Sequence, residues 1–367
     1  MSLAILGMGT AVPDAMIDQT AAGQFARSLC GTTPERDVWL ATMYRMLDRV
    51  TRRVCLGEAV VRDVIDGTRH SGSPFLPTGQ PDDRGPTTAE RQRHYAACAP
   101  PLAVSASRAA LQNSGLPARA ITHLITVSCT GFLAPGVDVT LIRQLGLSPT
   151  VERTHIGYMG CHGALNGLRA ARAFADADRS ARILLCAVEL CSLHYHYGWD
   201  PQQMVANALF ADGAAAGVAG PGDLAPERWQ VTASGSCLIP NSTDDMSWTV
   251  GDHGFEMVLS KRVPGLIAEH LRPWLESWLK THDLTVNDVP SWAIHPGGPR
   301  ILAAVEETLG LSRERTAASW AVFTEFGNMS SPTLLFILDR LRTARARRPC
   351  VALGFGPGLT AEAALFR

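Results

Sequence analysis

Lysine is almost missing from this 367-residue chain: it occurs only at Lys261 and Lys280, against 31 arginines. Phosphate contacts from side chains must therefore fall almost wholly to arginine forks, helped by backbone N–H groups. The skew fits a GC-rich coding sequence. A charge excess of either sign is also missing. The formal net charge is −1, so nothing suggests a nucleic-acid partner or an anionic membrane surface. No apolar run is long enough to span a bilayer, which argues against membrane insertion. The nine cysteines include no C-x-x-C pair. Their odd number, and an opening Met1-Ser2-Leu3-Ala4-Ile5-Leu6-Gly7 that reads as a strand rather than a secretory leader, point to a reduced, cytoplasmic protein.

What is present is an ordinary globular balance, 46% hydrophobic and 18% charged, in a chain long enough for one large domain or two packed halves. Residues 3–7 read as a buried strand, stopped by Gly7, Gly9 and Pro13. Residues 20–29 and 38–50 carry helical spacing. The second of these leads into Arg45, Arg49, Arg52 and Arg53, which is either a solvated helix face or an arginine-lined entrance for a phosphate group. Residues 67–87 are a loop. Residues 88–113 are helical, with Pro100-Pro101 expected to interrupt them. Residues 121–128 form a strand, with Cys129-Thr130-Gly131-Phe132 at its C-terminal end, where ligands gather in such sheets.

Helix 137–145, strand 182–189, helix 204–209 and the apolar run 214–219 follow. Pro221 to Pro226 reads as a linker, which divides the chain into halves 1–220 and 227–367. Beyond it come strand 230–234, helix 263–279, strand 292–295, helix 300–309, a strand-like stretch 318–324, helix 332–345 and a final strand pair, 350–355 and 361–366. Each half mixes strands and helices in similar order.

Three stretches carry chemistry. In Gly157-Tyr158-Met159-Gly160-Cys161-His162-Gly163, the pattern turns helical after the cysteine: Ala164, Leu165, Leu168, Ala171 and Ala175 share one face. Cys161 therefore stands at a helix start, where free N–H groups and the helix dipole lower a thiol pKa and favour the nucleophilic thiolate. The alternative is a buried structural cysteine. Ile294-His295-Pro296-Gly297-Gly298-Pro299 and Phe326-Gly327-Asn328-Met329-Ser330-Ser331-Pro332 place a histidine and an asparagine at junctions of the same kind, where a strand gives way to a helix. Brought together, the three can make a thiolate–imidazolium pair with a neutral second donor, suited to acyl transfer and to holding an enolate.

With Ala208-Leu209-Phe210-Ala211-Asp212-Gly213 and Gly354-Phe355-Gly356-Pro357-Gly358-Leu359-Thr360, these motifs stand in the order of one family. The chain resembles the type III polyketide synthases, the chalcone synthase-like family, over nearly its whole length. The resemblance implies an α/β thiolase fold, two similar αβ halves in an αβαβα layering, usually as a homodimer. It implies an acyltransferase whose partners are an acyl-CoA starter and malonyl-CoA, with no cofactor and no metal. Cys161 would take the acyl group, while His295 and Asn328 would hold the enolate. Phe210 matches a gatekeeping phenylalanine, and Met257 falls at the second aromatic gate. Cys129 and His194 fall where plant members carry small hydroxylated residues, and Ala134 where they project a methionine across the dimer. Thr130, Gly297, Gly298 and Gly358 complete the expected substrate contacts, with Arg45, Arg49, Arg52 and Arg53 for CoA. Those departures point toward bacterial members that turn fatty acyl starters into alkylpyrones or alkylresorcinols.

Two alternatives stand beside this. One is another thiolase-fold ketoacyl synthase, although those continue the histidine segment into Gln-Ala-Asn rather than Pro-Gly-Gly-Pro. The other is a metal-binding or redox-sensing protein using His162, Cys186, Cys191, His194 and His196, whose spacing matches no common zinc framework.

Overall fold

Most strands of the large sheet are buried on both faces, and successive side chains join different cores, which sets the layers. The computed structural model describes every residue except Met1, Thr32, Asp48 and Pro81. The first half runs β1 (Leu3–Ala11), β2 (Met16–Ile17), α1 (Gln19–Cys30), α2 (Pro34–Arg45), β3 (Arg52–Arg53), α3 (Glu58–Asp66) and α4 (Thr88–Ser114). It continues through β4 (His123–Ser128), α5 (Val137–Leu145), β5 (Glu152–Gly157), α6 (Gly163–Ala177), β6 (Ile183–Leu190), α7 (Pro201–Leu209) and β7 (Asp212–Pro221). The second half runs β8 (Gln230–Leu238), β9 (Met246–Gly251), β10 (Gly254–Leu259), α8 (Val263–Lys280), β11 (Ser291–Ile294), α9 (Pro299–Leu309), α10 (Ala317–Phe326), α11 (Ser331–Thr343), β12 (Cys350–Gly356) and β13 (Thr360–Phe366).

The halves share one topology. In the first, β4 runs parallel to β6, and β7 lies antiparallel to both β6 and β1. In the second, β11 runs parallel to β12, and β13 lies antiparallel to both β12 and β8. The strands meet edge to edge where Leu3 and Ala4 of β1 pair with Val231 and Gln230 of β8, giving one nine-stranded sheet. Successive side chains point to opposite faces of a strand. Leu184, Cys186 and Val188 thus pack with α4, while Leu185 and Ala187 pack with α6 and α11. Likewise Val351 and Leu353 pack with α8 and α9, while Cys350 and Ala352 join the central core. The five layers are therefore α4, the first half's strands, α6 with α11, the second half's strands, and α8 with α9. This is the thiolase arrangement.

Several local expectations are corrected. β1 continues through Gly7 and Gly9 to Ala11, with α4 packed against it. α4 runs unbroken through Pro100-Pro101, capped by Thr87 and Glu90 at one end and Gly115 at the other. Its buried face, Ala99, Ala103, Ala106 and Ala110, holds it against the sheet despite the lost proline N–H groups. α2 starts earlier than expected, at a Thr33 cap and Pro34, and ends before Arg49. Residues 318–324 lie within helix α10. Short apolar runs do not separate strand from helix, and here Ser319, Val322 and Phe323 are buried at helical spacing. Among the described residues, no helix is long and apolar enough to cross a membrane.

Candidate active site

The chain leaves β5, passes Tyr158 in a left-handed conformation and turns at Gly160. Gly160 has φ +70°, and a Cβ there would lie 2.5 Å from Pro357 Cδ, so only glycine fits. A 3-10 turn over Gly160–His162 then feeds α6. Cys161 is a free cysteine, buried at the start of that helix. His295 follows β11 directly and is anchored by its N–H to Leu353 O at 2.8 Å. Asn328 does not follow a strand as expected: it sits between helices α10 and α11. It is instead tied across the seam between halves. Asn328 N donates to Leu209 O (3.0 Å) and Ala211 N donates to Asn328 O (2.8 Å), so Asn328 and Phe210 form a single β-bridge.

Cys161, His295 and Asn328 line one apolar cavity together with Met257, Leu259 and Phe355. Both ring nitrogens of His295 are buried and, among the described residues, unpartnered. Asn328 Oδ1 accepts from Ser330 N at 2.8 Å, while its Nδ2 makes only a 3.5 Å approach to Gly297 O. Buried polar groups are rarely left unpaired. Two of them aimed into a cavity beside a thiol mark the place of an oxygen-bearing ligand. α6 and α11 both begin here, so two helix N-termini add positive potential. A second cavity shares Cys161, Phe210, Met246 and Met257 and extends to Cys129, Thr130, Tyr158 and Trp248. Phe210 and Met257 thus stand where the two spaces meet.

Burial pushes the Cys161 thiol up to about 11, although hydrogen bonding from Ser330 pulls it down. This corrects the expectation from the helix start alone: desolvation outweighs the helix dipole. Burial also pushes His295 down to about 3, and the neighbouring His162 adds to that. Each ion is disfavoured singly. A proton passed from Cys161 to His295 makes a pair of zero net charge, which burial penalises far less.

One carboxylate escaped the sequence reading. Glu189, at the end of β6, is fully buried. It accepts hydrogen bonds from Thr130 Oγ1 (2.7 Å), Ser331 Oγ (2.6 Å) and the backbone N–H groups of Cys129 and Thr130. Burial raises its pKa against those bonds. It ties the end of β4 to the first residue of α11. A lone acid inside the apolar run Leu184-Leu185-Cys186-Ala187-Val188-Glu189-Leu190 was the available signal.

The other expected residues divide. Thr130, Cys129 and Gly297 line the cavities. His194 lies behind them, with Nε2–H donating to Thr130 O (2.7 Å) and Nδ1 accepting from Phe255 N (3.1 Å). Gly298 packs toward Leu209. Gly358 acts indirectly, donating its N–H to Met246 O at 3.0 Å. Arg45 and Arg49 are exposed, and Arg53 donates to Asp14 O. Arg52 is a correction: it is buried and bonded to neutral oxygens, out of reach of a CoA phosphate. Among the described residues, no three His, Cys, Asp or Glu side chains are placed to share a metal ion.

Residues 76–223 match the family model for the N-terminal domain of chalcone and stilbene synthases, and residues 230–367 match that for the C-terminal domain. Pks18 of Mycobacterium tuberculosis, named an alpha-pyrone synthesis polyketide synthase-like protein, is 38% identical over 294 residues, covering 77% of this chain and 74% of its own. The crystal structure of PKS-I from the brown alga Ectocarpus siliculosus superposes with a TM-score of 0.89 at 31% identity, over 100% of this chain and 98% of that one. The C-terminal type III domain of Steely1, a type I/III hybrid from Dictyostelium, superposes with a TM-score of 0.86 at 27% identity, over 100% and 99%.

Proposed function

The chain belongs to the chalcone and stilbene synthase family of type III polyketide synthases, and from that premise we propose that it extends a fatty acyl starter with malonyl-CoA and closes an alkylpyrone or alkylresorcinol. The observation that carries the mechanism is the unpartnered His295 ring beside Cys161 and the Asn328 amide. Cys161 gives its proton to His295, and the thiolate attacks the thioester carbonyl of the starter. CoA leaves as the thiol, taking the proton back. Malonyl-CoA then loses carbon dioxide, and the N–H groups of His295 and Asn328 hold the enolate oxygen. The enolate carbon attacks the acyl-cysteine carbonyl, which frees the Cys161 sulfur and leaves the lengthened chain on CoA.

Two features support a fatty acyl starter. Met257 stands where the family places an aromatic ring, and an unbranched thioether moves aside for a long chain. Met246, Leu259, Ile301 and Phe355 extend the apolar lining, and each buried methylene contributes about 0.8 kcal/mol. The name of Pks18, an alpha-pyrone synthesis polyketide synthase-like protein, supports the pyrone over the resorcinol. A homodimer fits the exposed Phe132, Leu133, Tyr158 and Met159, which follow the parallel neighbours β4 and β5 at one end of the sheet.

The test is incubation with malonyl-CoA and a mixed panel of acyl-CoAs, with products read by mass spectrometry. Medium- and long-chain starters are expected to outcompete acetyl and aromatic ones. The reverse order would remove the fatty acyl reading. Cys161→Ala is expected to lose loading and all extension while keeping some malonyl-CoA decarboxylation, because His295 and Asn328 remain. A Cys161→Ala protein that still extends a starter would end the assignment of the nucleophile.

A further inference from the structure

Arg52 lies in β3, ahead of both family-matched spans. Only 1% of it is exposed, so a permanent cation sits inside the protein. Its Nη1 donates to Tyr195 Oη (3.0 Å), Phe210 O (3.0 Å) and Asn207 O. Among the described residues, no carboxylate forms an ion pair with it. Asn207 and Phe210 offer the carbonyls at the C-terminal end of α7, the negative end of a helix, whose last carbonyls lack internal partners. The guanidinium supplies both the donors and the charge.

Its stem is placed as tightly as its head. Gly327 has φ +71°, and a Cβ there would come within 2.7 Å of Arg52 Cγ. Arg52 therefore lies against the turn that presents Asn328. The preceding residue clamps the other side: Thr51 N donates to Thr324 O (2.9 Å) and Thr51 Oγ1 to Glu325 O (2.8 Å), at the end of α10. One dipeptide thus holds the C-terminal ends of α7 and α10. Between those ends runs the bridge that joins Phe210 to Asn328.

We propose that Arg52 is a positioning residue that locks Phe210 and Asn328 into one rigid unit, so that enolate stabilisation and passage between the two cavities depend on it although it touches no substrate. This rests on the roles given to Phe210 and Asn328 under the proposed function.

The test compares Arg52→Met, which keeps the stem and removes the donors, with Arg52→Lys, which keeps a charge. Iodoacetamide alkylation of Cys161, malonyl-CoA decarboxylation and steady-state extension are measured on each. In Arg52→Met, alkylation is expected within about twofold of wild type, while kcat for extension falls by roughly ten- to a hundredfold. KM for malonyl-CoA changes little, the starter profile broadens, and Arg52→Lys recovers part of kcat. Unaltered kinetics in Arg52→Met would overturn the inference. So would alkylation falling in parallel with extension, or KM rising at constant kcat, the signature of a CoA contact. If Arg52→Met does not fold, Arg52→Lys decides: lowered kcat at unchanged KM supports the inference, and wild-type kinetics overturns it. A wild type that does not decarboxylate malonyl-CoA would overturn the functional reading itself. An active wild type with an indifferent Arg52→Met would overturn only this inference.

Discussion

Among the described residues, neither ring nitrogen of His295 has a hydrogen-bond partner within ordinary distance, although Asn328 lies near enough to favour its charged form, and that shapes what its replacement should do. Burial is the largest influence on the Cys161 thiol and outweighs the hydrogen bonds that lower it, leaving it at about 11. An imidazolium beside it favours the thiolate and lowers the same pKa. His295→Gln removes the second effect and keeps the first. The apparent pKa for iodoacetamide inactivation is therefore expected to rise in His295→Gln relative to wild type. Because the two groups titrate together, the wild-type value belongs to the pair. Identical pH profiles would show that His295 does not share the Cys161 proton. Asn328→Asp separates the half-reactions instead. A carboxylate at this position repels an enolate oxygen but has little to do with loading. Condensation is expected to fall about a hundred- to a thousandfold, the loss typical of one such donor, with loading largely kept. Equal losses, measured by acyl-enzyme mass and by product formation, would leave Asn328 a purely structural role.

At the scale of elements, α4 shows how local signals and packing divide the work. Thr87 and Glu90 close a capping box at its start, with Thr87 N donating to Glu90 Oε2 at 2.8 Å. Thr87→Ala is expected to lower stability by about 1 kcal/mol, seen as a lower urea midpoint, with kcat unchanged. No change in midpoint would mean that sheet packing alone sets this end. Elements with both a period and a stop signal were legible in the sequence: α5 and α6 end where their apolar faces end. Pro100-Pro101 misleads because tertiary packing outweighs the local rule. Residues 318–324 mislead because a short apolar run has no decisive period. Cys161, His295 and Asn328 were legible because glycines and helix starts surround them. Arg52 was not, since a buried arginine and an exposed one look alike until the carbonyls that face it are in place.

For the whole molecule, the two joined cavities belong to neither half alone. Cys161 and Phe210 come from the first, Met246 and Met257 from the second. A substitution in that shared wall changes volume without altering Cys161, His295 or Asn328. Met257→Phe is accordingly expected to shift starter preference toward shorter chains and leave malonyl-CoA decarboxylation nearly unchanged, measured in the same mixed assay. An unaltered chain-length profile would place the chain's path elsewhere, toward Cys129.

The central layer also sets a clock. α11 is apolar on nearly every side, with Leu334, Leu335, Phe336, Ile337 and Leu338 all buried. Such a helix has no stable place until α6 and the strands of both halves are there to cover it. Asn328 stands 167 residues after Cys161. At ordinary rates of translation, on the order of ten to thirty seconds separate their emergence from the ribosome. During most of that interval the nascent chain carries its thiol without His295, and throughout it without Asn328. The cavity lined by Cys161, His295 and Asn328 therefore exists only once α11 has docked.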